Sequence, residues 1–118
     1  MDTQILINGG VDINHALELL GDMEMFNDTL KDFLNESATR IPSIIRDFNN
    51  NDMENYAILV HAMKSDSKYL GFTKLAEMSY EHEMASKNGD IEFVKANINP
   101  LIIEANRIIN LVKTYLGE

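Results

Sequence analysis

Residues 61–67, His-Ala-Met-Lys-Ser-Asp-Ser, combine a histidine, a lysine three positions later and several small side chains. Three positions are nearly one helical turn, so His61 and Lys64 share a face if this segment is a helix. A neutral imidazole ring is a competent nucleophile near pH 7, and a neighbouring cation can stabilise negative charge that develops beside it. We therefore take His61 and Lys64 as the pair best suited to chemistry.

The spacing predicts that His61 points away from the buried side of its helix. At about 100° per residue, one sector collects the residues expected in the core, which are Met53, Tyr56, Val60, Met63, Ser67 and Leu70. His61 lies roughly 130° from the centre of that sector. Ala57, Lys64, Ser65 and Lys68 lie within about 60° of His61. Because Ala57 and Ser65 are small, the imidazole should stand clear for another protein to approach.

Other kinds of catalytic site are missing from the sequence. No serine is evidently activated by His61, no metal-ligand cluster surrounds it, and no glycine-rich loop could cradle a nucleotide. The absence of cysteine excludes disulfides, thiolate zinc sites and cysteine nucleophiles. A di-metal carboxylate bundle is rejected because no Glu-x-x-His pair occurs. The site is suited to carrying a group rather than to binding a small substrate.

The composition excludes several classes of partner. Nineteen acidic and ten basic residues give a formal net charge of −9, which repels nucleic acids and anionic membranes. Hydrophobic residues make up 45% of the chain, too many for a disordered acidic tail. No apolar run approaches the roughly 18 residues that a membrane span needs. The lack of cysteine suits a reducing compartment, and we expect a cytoplasmic protein.

The apolar spacing is helical throughout the chain. Asp22, Asp52 and Asp90 are each followed two residues later by a glutamate, which is typical of a helix start. Helices are predicted at about 12–20, 23–48, 52–70, 72–87 and 91–116. Four long amphipathic helices with short connections predict an all-α antiparallel four-helix bundle, with the short N-terminal helix capping one end. We assign residues 10–118 to this domain and residues 1–9 to a leader or linker.

Two prolines and two further histidines carry secondary predictions. Pro42 and Pro100 fall inside long helices, where each should cause a kink or a brief break. His82 lies on the apolar face of its helix and is expected to be a packed or hydrogen-bonded core residue. His15 is expected to be exposed and without a role.

The pattern around His61 resembles that of histidine-containing phosphotransfer (HPt) domains, the phosphorelay modules of two-component signalling. The family pattern has a histidine, a lysine or arginine three residues later, a glycine, a small residue and a later glycine. The matching positions here are His61, Lys64, Ser65, Asp66, Ser67 and Gly71. The resemblance extends through Gly10-Val11-Asp12, Leu20-Gly21-Asp22, Glu83 and Gly89-Asp90, and covers about residues 10–116. Ser65 departs from the pattern, which has glycine there.

The resemblance implies a phosphoryl carrier without kinase activity of its own. His61, by family analogy through Nε2, would accept a phosphoryl group from a receiver-domain aspartate and pass it to another receiver. Lys64 would stabilise the phosphoryl oxygens. Ser65 departs from the family's glycine, but serine is also small, and from its place one turn from His61 we expect it to leave clearance and to hydrogen-bond the imidazole. The docking surface is predicted to include Ala57, Ile58 and Lys68.

The expected partners are response-regulator receiver domains and a hybrid sensor histidine kinase. We expect no cofactor or metal bound by this chain, since Mg²⁺ would come from the receiver, and we expect a monomer. Ser65 in place of glycine leaves one alternative open: a scaffold of the same fold that docks receivers without carrying phosphate. A histidine kinase dimerisation domain is disfavoured, because the chain has no room for an ATP-binding domain.

Overall fold

The computed structural model describes all 118 residues and contains six helices and no strand. The helices are α1 (Thr3–Asn8), α2 (Ile13–Leu20), α3 (Met23–Asn49), α4 (Met53–Leu70), α5 (Thr73–Lys87) and α6 (Ile91–Leu116). The predicted all-α class is confirmed. The five predicted helices begin and end within one residue of α2 to α6.

Aspartate side chains cap the starts of three of the long helices. Asp22, Asp52 and Asp90 each accept a hydrogen bond from the backbone N–H three residues later, at 2.8, 3.2 and 3.1 Å. These bonds satisfy amides that have no partner within the helix, and the negative charge favours the positive end of the helix dipole. The local start signal in the sequence was therefore reliable.

The long helices α3 to α6 form a four-helix bundle. Each packs against the next, and α6 closes the ring against α3. Connections of only two or three residues make successive helices antiparallel. Between them lies one core that includes Phe26, Leu30, Ile44, Tyr56, Val60, Leu75 and Leu101, all fully buried. The short helix α2 packs across α3 and α4, as the predicted cap does.

Gly71 is the first residue after α4, and a hydrogen bond links it to Asp12, just before α2. It has a φ of +78°, a left-handed conformation that glycine adopts without strain. A Cβ at this position would also collide with the backbone carbonyl of Asp12, whose N–H donates to the Gly71 carbonyl at 2.9 Å. No residue with a side chain meets both requirements.

The N-terminal residues, assigned above to a leader or linker, include a helix. Residues 3–8 form α1, which packs against α6 and buries Leu6 completely. Arg107 on α6 donates from Nη1 to the Gly9 carbonyl at 2.8 Å, and Gly9 lies against Leu111. A six-residue helix is too short to show a helical period in the sequence, so its packing was not foreseen.

A kink or a brief break was expected at each proline, and neither helix is broken there. Both α3 and α6 continue through Pro42 and Pro100. The prolines are exposed, and so are Ala38 and Ala96, whose carbonyls lose their intrahelical donors. Water can hydrate those carbonyls, so the helices tolerate the missing bonds.

No helix in the structure is both long enough and apolar enough to cross a membrane.

Candidate functional site

His61 lies in the middle of α4 with its side chain 54% exposed. Its Nδ1 is 2.7 Å from Oε2 of Glu83 on α5. Because an ionised carboxylate only accepts hydrogen bonds, the ring proton lies on Nδ1 and donates to Glu83. The other ring nitrogen, Nε2, then carries the lone pair and makes no hydrogen bond within the protein. The site therefore presents a nucleophilic nitrogen at the surface.

Glu83 is a nearly buried carboxylate with three hydrogen-bond donors. Oε1 accepts from Lys64 at 2.8 Å, and Oε2 accepts from Lys87 at 2.6 Å as well as from His61. Burial alone would raise the pKa of Glu83, but the bonds from Lys64, Lys87 and His61 together outweigh it and lower the pKa to about 2. Glu83 is therefore ionised throughout the physiological pH range.

Lys64 lies beside His61, as the spacing predicted. Its side chain is only 18% exposed, because the ammonium is held between Glu83 and the ring of Tyr80 on α5. An ammonium group has three N–H donors. Glu83 takes one of them, so donors remain for a further anion at this position.

The three predicted docking residues differ in their exposure to solvent. Ile58 is 61% exposed and Lys68 is also exposed. Ala57, however, is only 5% exposed and does not form an outer contact surface. It lies within a groove of about 630 Å³ next to His61, which is lined by Met53, Glu54, Ala57, Ile58, His61, Ser86 and Lys87. The helical wheel could not show that Ser86 and Lys87 of α5 line the same groove as Ala57.

Ser65 does not make the predicted hydrogen bond to the imidazole. It is half-buried, and its hydroxyl bonds to no protein group in the structure. The Nδ1 atom of His61 is already bound to Glu83, and Nε2 faces solvent. Asp66, the next residue, points to α3 and accepts from Arg40 at 2.9 Å, so its charge is directed away from His61.

His82 is a core histidine, as predicted, and is 2% exposed. Its Nε2–H donates to the Asn97 carbonyl at 3.2 Å, and its Nδ1 accepts from the Tyr56 hydroxyl at 2.8 Å. Burial lowers the pKa of His82, an effect that exceeds the opposing effect of the bond to Asn97. Both ring nitrogens are engaged, so His82 offers no nucleophile. His15 is exposed on α2, also as predicted.

Two residues of the site were missed from the sequence. Glu83 lies in the segment that resembles the family, but no function was predicted for it. Lys87 was not predicted to belong to the site. They are four residues apart on α5, so an ion pair between them could have been foreseen. Their contact with His61 depends on how α4 and α5 align, which no local pattern reveals.

The site does not contain an evident metal centre. No group of three or more histidine, aspartate or glutamate side chains converges anywhere in the structure. The carboxylate nearest to His61 already accepts from three donors. The cluster of His61, Lys64, Glu83 and Lys87 is thus arranged to receive an anion next to an exposed imidazole nitrogen.

Comparison with known proteins identifies the family. A family model described as "Hpt domain" matches residues 28–113, which includes all of α4 and α5 and most of α3 and α6. No match was found among curated proteins or among solved structures. Hpt domains act in phosphotransfer in two-component signalling. Because the matched segment covers well over half of the sequence and the observed bundle agrees with it, the chain belongs to the Hpt domain family.

Proposed function

We propose that this protein is a phosphorelay carrier in which His61 accepts a phosphoryl group from the aspartate of one receiver domain and passes it to another. The observation that carries the proposal is the state of the His61 ring. Its Nδ1–H is held by an ionised carboxylate, while Nε2 is unprotonated and exposed. The family supplies the general role, and this geometry supports the choice of residue and atom.

The proposed step needs no proton transfer. The Nε2 lone pair attacks the phosphorus of an aspartyl phosphate, an Nε2–phosphorus bond forms, and the bond from phosphorus to the acyl oxygen breaks. The electron pair of that bond leaves with the receiver's carboxylate. The ring keeps its proton on Nδ1 and becomes cationic, and the negative charge of Glu83 at 2.7 Å stabilises it. Attack by a second receiver's aspartate reverses the sequence.

Two lysines would stabilise the transferred group. Phosphoryl transfer depends mainly on positioning and on charge stabilisation at the three equatorial oxygens. Lys64 follows His61 by three residues on α4, and Lys87 lines the groove on the other side of the imidazole. Each has N–H donors beyond the one that it gives to Glu83. We assign phosphoryl stabilisation to Lys64, as the sequence suggested, and add Lys87.

The receiver would supply Mg²⁺ and an acidic surface that complements the lysines around His61. Receiver domains carry the metal in an acidic pocket, as the family resemblance implies, and Glu83 here is fully engaged by other donors. Lys64, Lys68 and Lys87 set three positive charges against the carboxylates of Glu54 and Glu83 on this face, within a protein of net charge −9. Such a face favours the approach of an acidic partner. Ile58 offers an exposed apolar contact beside the site.

The test is transfer from a phosphorylated receiver in the presence of Mg²⁺. We expect acid-labile, base-stable label on the wild-type protein and none on His61→Ala. His15→Ala is the matched control, because His15 is also an exposed histidine, and it should be labelled normally. Label that persists in His61→Ala, or wild-type protein that is never labelled, would overturn the proposal.

A docking scaffold that carries no phosphate is the second candidate, and Ser65 favours it. A serine hydroxymethyl group one turn from His61 stands where the family pattern has no side chain, and could obstruct the incoming phosphate. The scaffold predicts that receivers bind while no label is transferred, and that Ser65→Gly restores transfer. Transfer to the wild-type protein excludes it.

A further inference from the structure

The ammonium group of Lys64 is held from two sides by residues of α5. Its Nζ lies 2.8 Å from Oε1 of Glu83 and 5.5 Å from the centre of the Tyr80 ring. Glu83 and Tyr80 are three residues apart, so they share one face of α5. The phosphotransfer role proposed above assigns a function to Glu83 but none to Tyr80.

A tyrosine ring at this distance attracts an ammonium group. The negative face of the ring favours a cation within about 6 Å of its centre, and the attraction grows when water is excluded. Only 18% of the Lys64 side chain is exposed, so the contact is partly shielded. A free lysine side chain samples many rotamers, and restricting it ordinarily costs conformational entropy. The ring and Glu83 together offset that cost before any phosphoryl group arrives.

We propose that Tyr80 is a positioning residue for phosphotransfer, which acts by holding the Lys64 ammonium beside His61. This role rests on the proposed function and adds to it the residue that positions the Lys64 ammonium before phosphotransfer. Tyr80 does not contact the phosphoryl group. Its ring limits the positions of Lys64 to those near Glu83, the carboxylate that also binds Nδ1 of His61.

Replacement of the ring tests this role with a small phosphodonor. Phosphoramidate can phosphorylate a histidine without a receiver, so the rate does not depend on docking. We expect Tyr80→Leu, which keeps apolar bulk but removes the ring, to be phosphorylated about three- to tenfold more slowly, as loss of a partly shielded cation–π contact predicts. Tyr80→Phe keeps the ring and should recover most of that rate.

Tyr69→Leu is the matched control. Tyr69 is 51% exposed, against 50% for Tyr80, but it lies on α4 and its ring does not contact the Lys64 ammonium. Tyr69→Leu should keep the wild-type rate with phosphoramidate. Thermal unfolding of each variant establishes that the bundle is intact.

A second measurement follows Lys64 directly. Nitrogen-15 NMR of the lysine ammonium groups reports how fast their protons exchange with water. In wild-type protein and in Tyr80→Phe, the Lys64 ammonium should exchange more slowly than the exposed Lys68. In Tyr80→Leu its exchange should become faster than in wild-type protein, while the bond to Glu83 keeps part of the protection. The measurement needs no phosphate and therefore stands even if the proposed function fails.

The outcomes separate the two proposals. Equal phosphoramidate rates for wild type and Tyr80→Leu, with unchanged ammonium exchange, would overturn the positioning role while His61 remains the acceptor. Slow transfer only from a receiver would also overturn it, since Tyr80 would then be a docking contact. Failure of the proposed function appears differently, as label that does not depend on His61.

Discussion

His61 and His82 lie on adjacent helices and have opposite chemistry. His61 donates from Nδ1 to a carboxylate and leaves Nε2 open to solvent. His82 donates from Nε2 to a backbone carbonyl and accepts at Nδ1 from the Tyr56 hydroxyl, with 2% of its surface exposed. The two rings are thus opposite tautomers, and only one has an available lone pair. Partner and burial, rather than residue type, decide whether a histidine in this bundle can act as a nucleophile.

The strongest test of this contrast is His61→Gln. The variant should lose phosphorylation by a receiver or by phosphoramidate, a decrease of at least about a thousandfold, because no nucleophile remains at the site. Its free energy of unfolding should fall by no more than about 1 kcal/mol, since His61 is exposed and Glu83 keeps its bonds from Lys64 and Lys87. Chemical denaturation and a labelling assay measure the two quantities on the same sample. A large loss of stability would mean that His61 is also a structural residue.

His82→Ala should give the reverse result, with its main effect on stability. It leaves the Tyr56 hydroxyl and the Asn97 carbonyl without their partner and opens a cavity beside Phe93. Together these effects should lower the free energy of unfolding by about 2–4 kcal/mol. His15→Ala, at an exposed position, is the control and should change it by less than about 0.5 kcal/mol. Similar values for the two variants would contradict the buried network.

Glu83→Gln should make His61 a poorer acceptor of a phosphoryl group. A neutral amide stabilises the cationic phosphohistidine ring less well and cannot accept from all three donors that Glu83 binds. We expect the rate of phosphorylation by phosphoramidate to fall about tenfold, equivalent to about 1.4 kcal/mol. Glu81→Gln removes an exposed carboxylate from the same helix and should have little effect. A normal rate in Glu83→Gln would show that orientation of the ring does not need the charge.

The smallest predicted effect is the pH dependence that His82 imposes on stability. Its folded-state pKa is below the unfolded value of about 6.5, so the unfolded chain binds the proton more readily. Stability should therefore be fully present above pH 6.5 and should fall as pH decreases below it, by up to about 1 kcal/mol between pH 6.5 and 5.5. Urea unfolding across this range measures the slope. His82→Leu should show a smaller slope, and an unchanged slope would assign the effect to another group.

Some of this arrangement could be predicted from the sequence because it is local. The aspartates at 22, 52 and 90 mark helix starts through bonds that span three residues. The shared face of His61 and Lys64 follows from a spacing of three within one helix. The burial of His82 followed from its place on an apolar stripe.

The unpredicted features depend on how helices meet. Glu83 and Lys87 reach His61 only because of the alignment between α4 and α5, which is a property of packing. Ala57 lines the groove beside His61, as its position on the helix suggested, but it is only 5% exposed. The burial of Leu6 depends on a contact with α6 about a hundred residues away in sequence. The sequence therefore predicted the part of the candidate site that lies on α4, but not the residues that α5 adds to it.

The bond between Asp12 and Gly71 has a consequence for hydrogen exchange. The Asp12 amide is bound to the Gly71 carbonyl, and the Phe72 amide is bound to the Ser67 carbonyl in the last turn of α4. Fraying of that turn therefore separates the segment before α2 from the bundle at the same time. The amides of Asp12 and Phe72, sixty residues apart in sequence, should lose their protection from exchange in a single opening event.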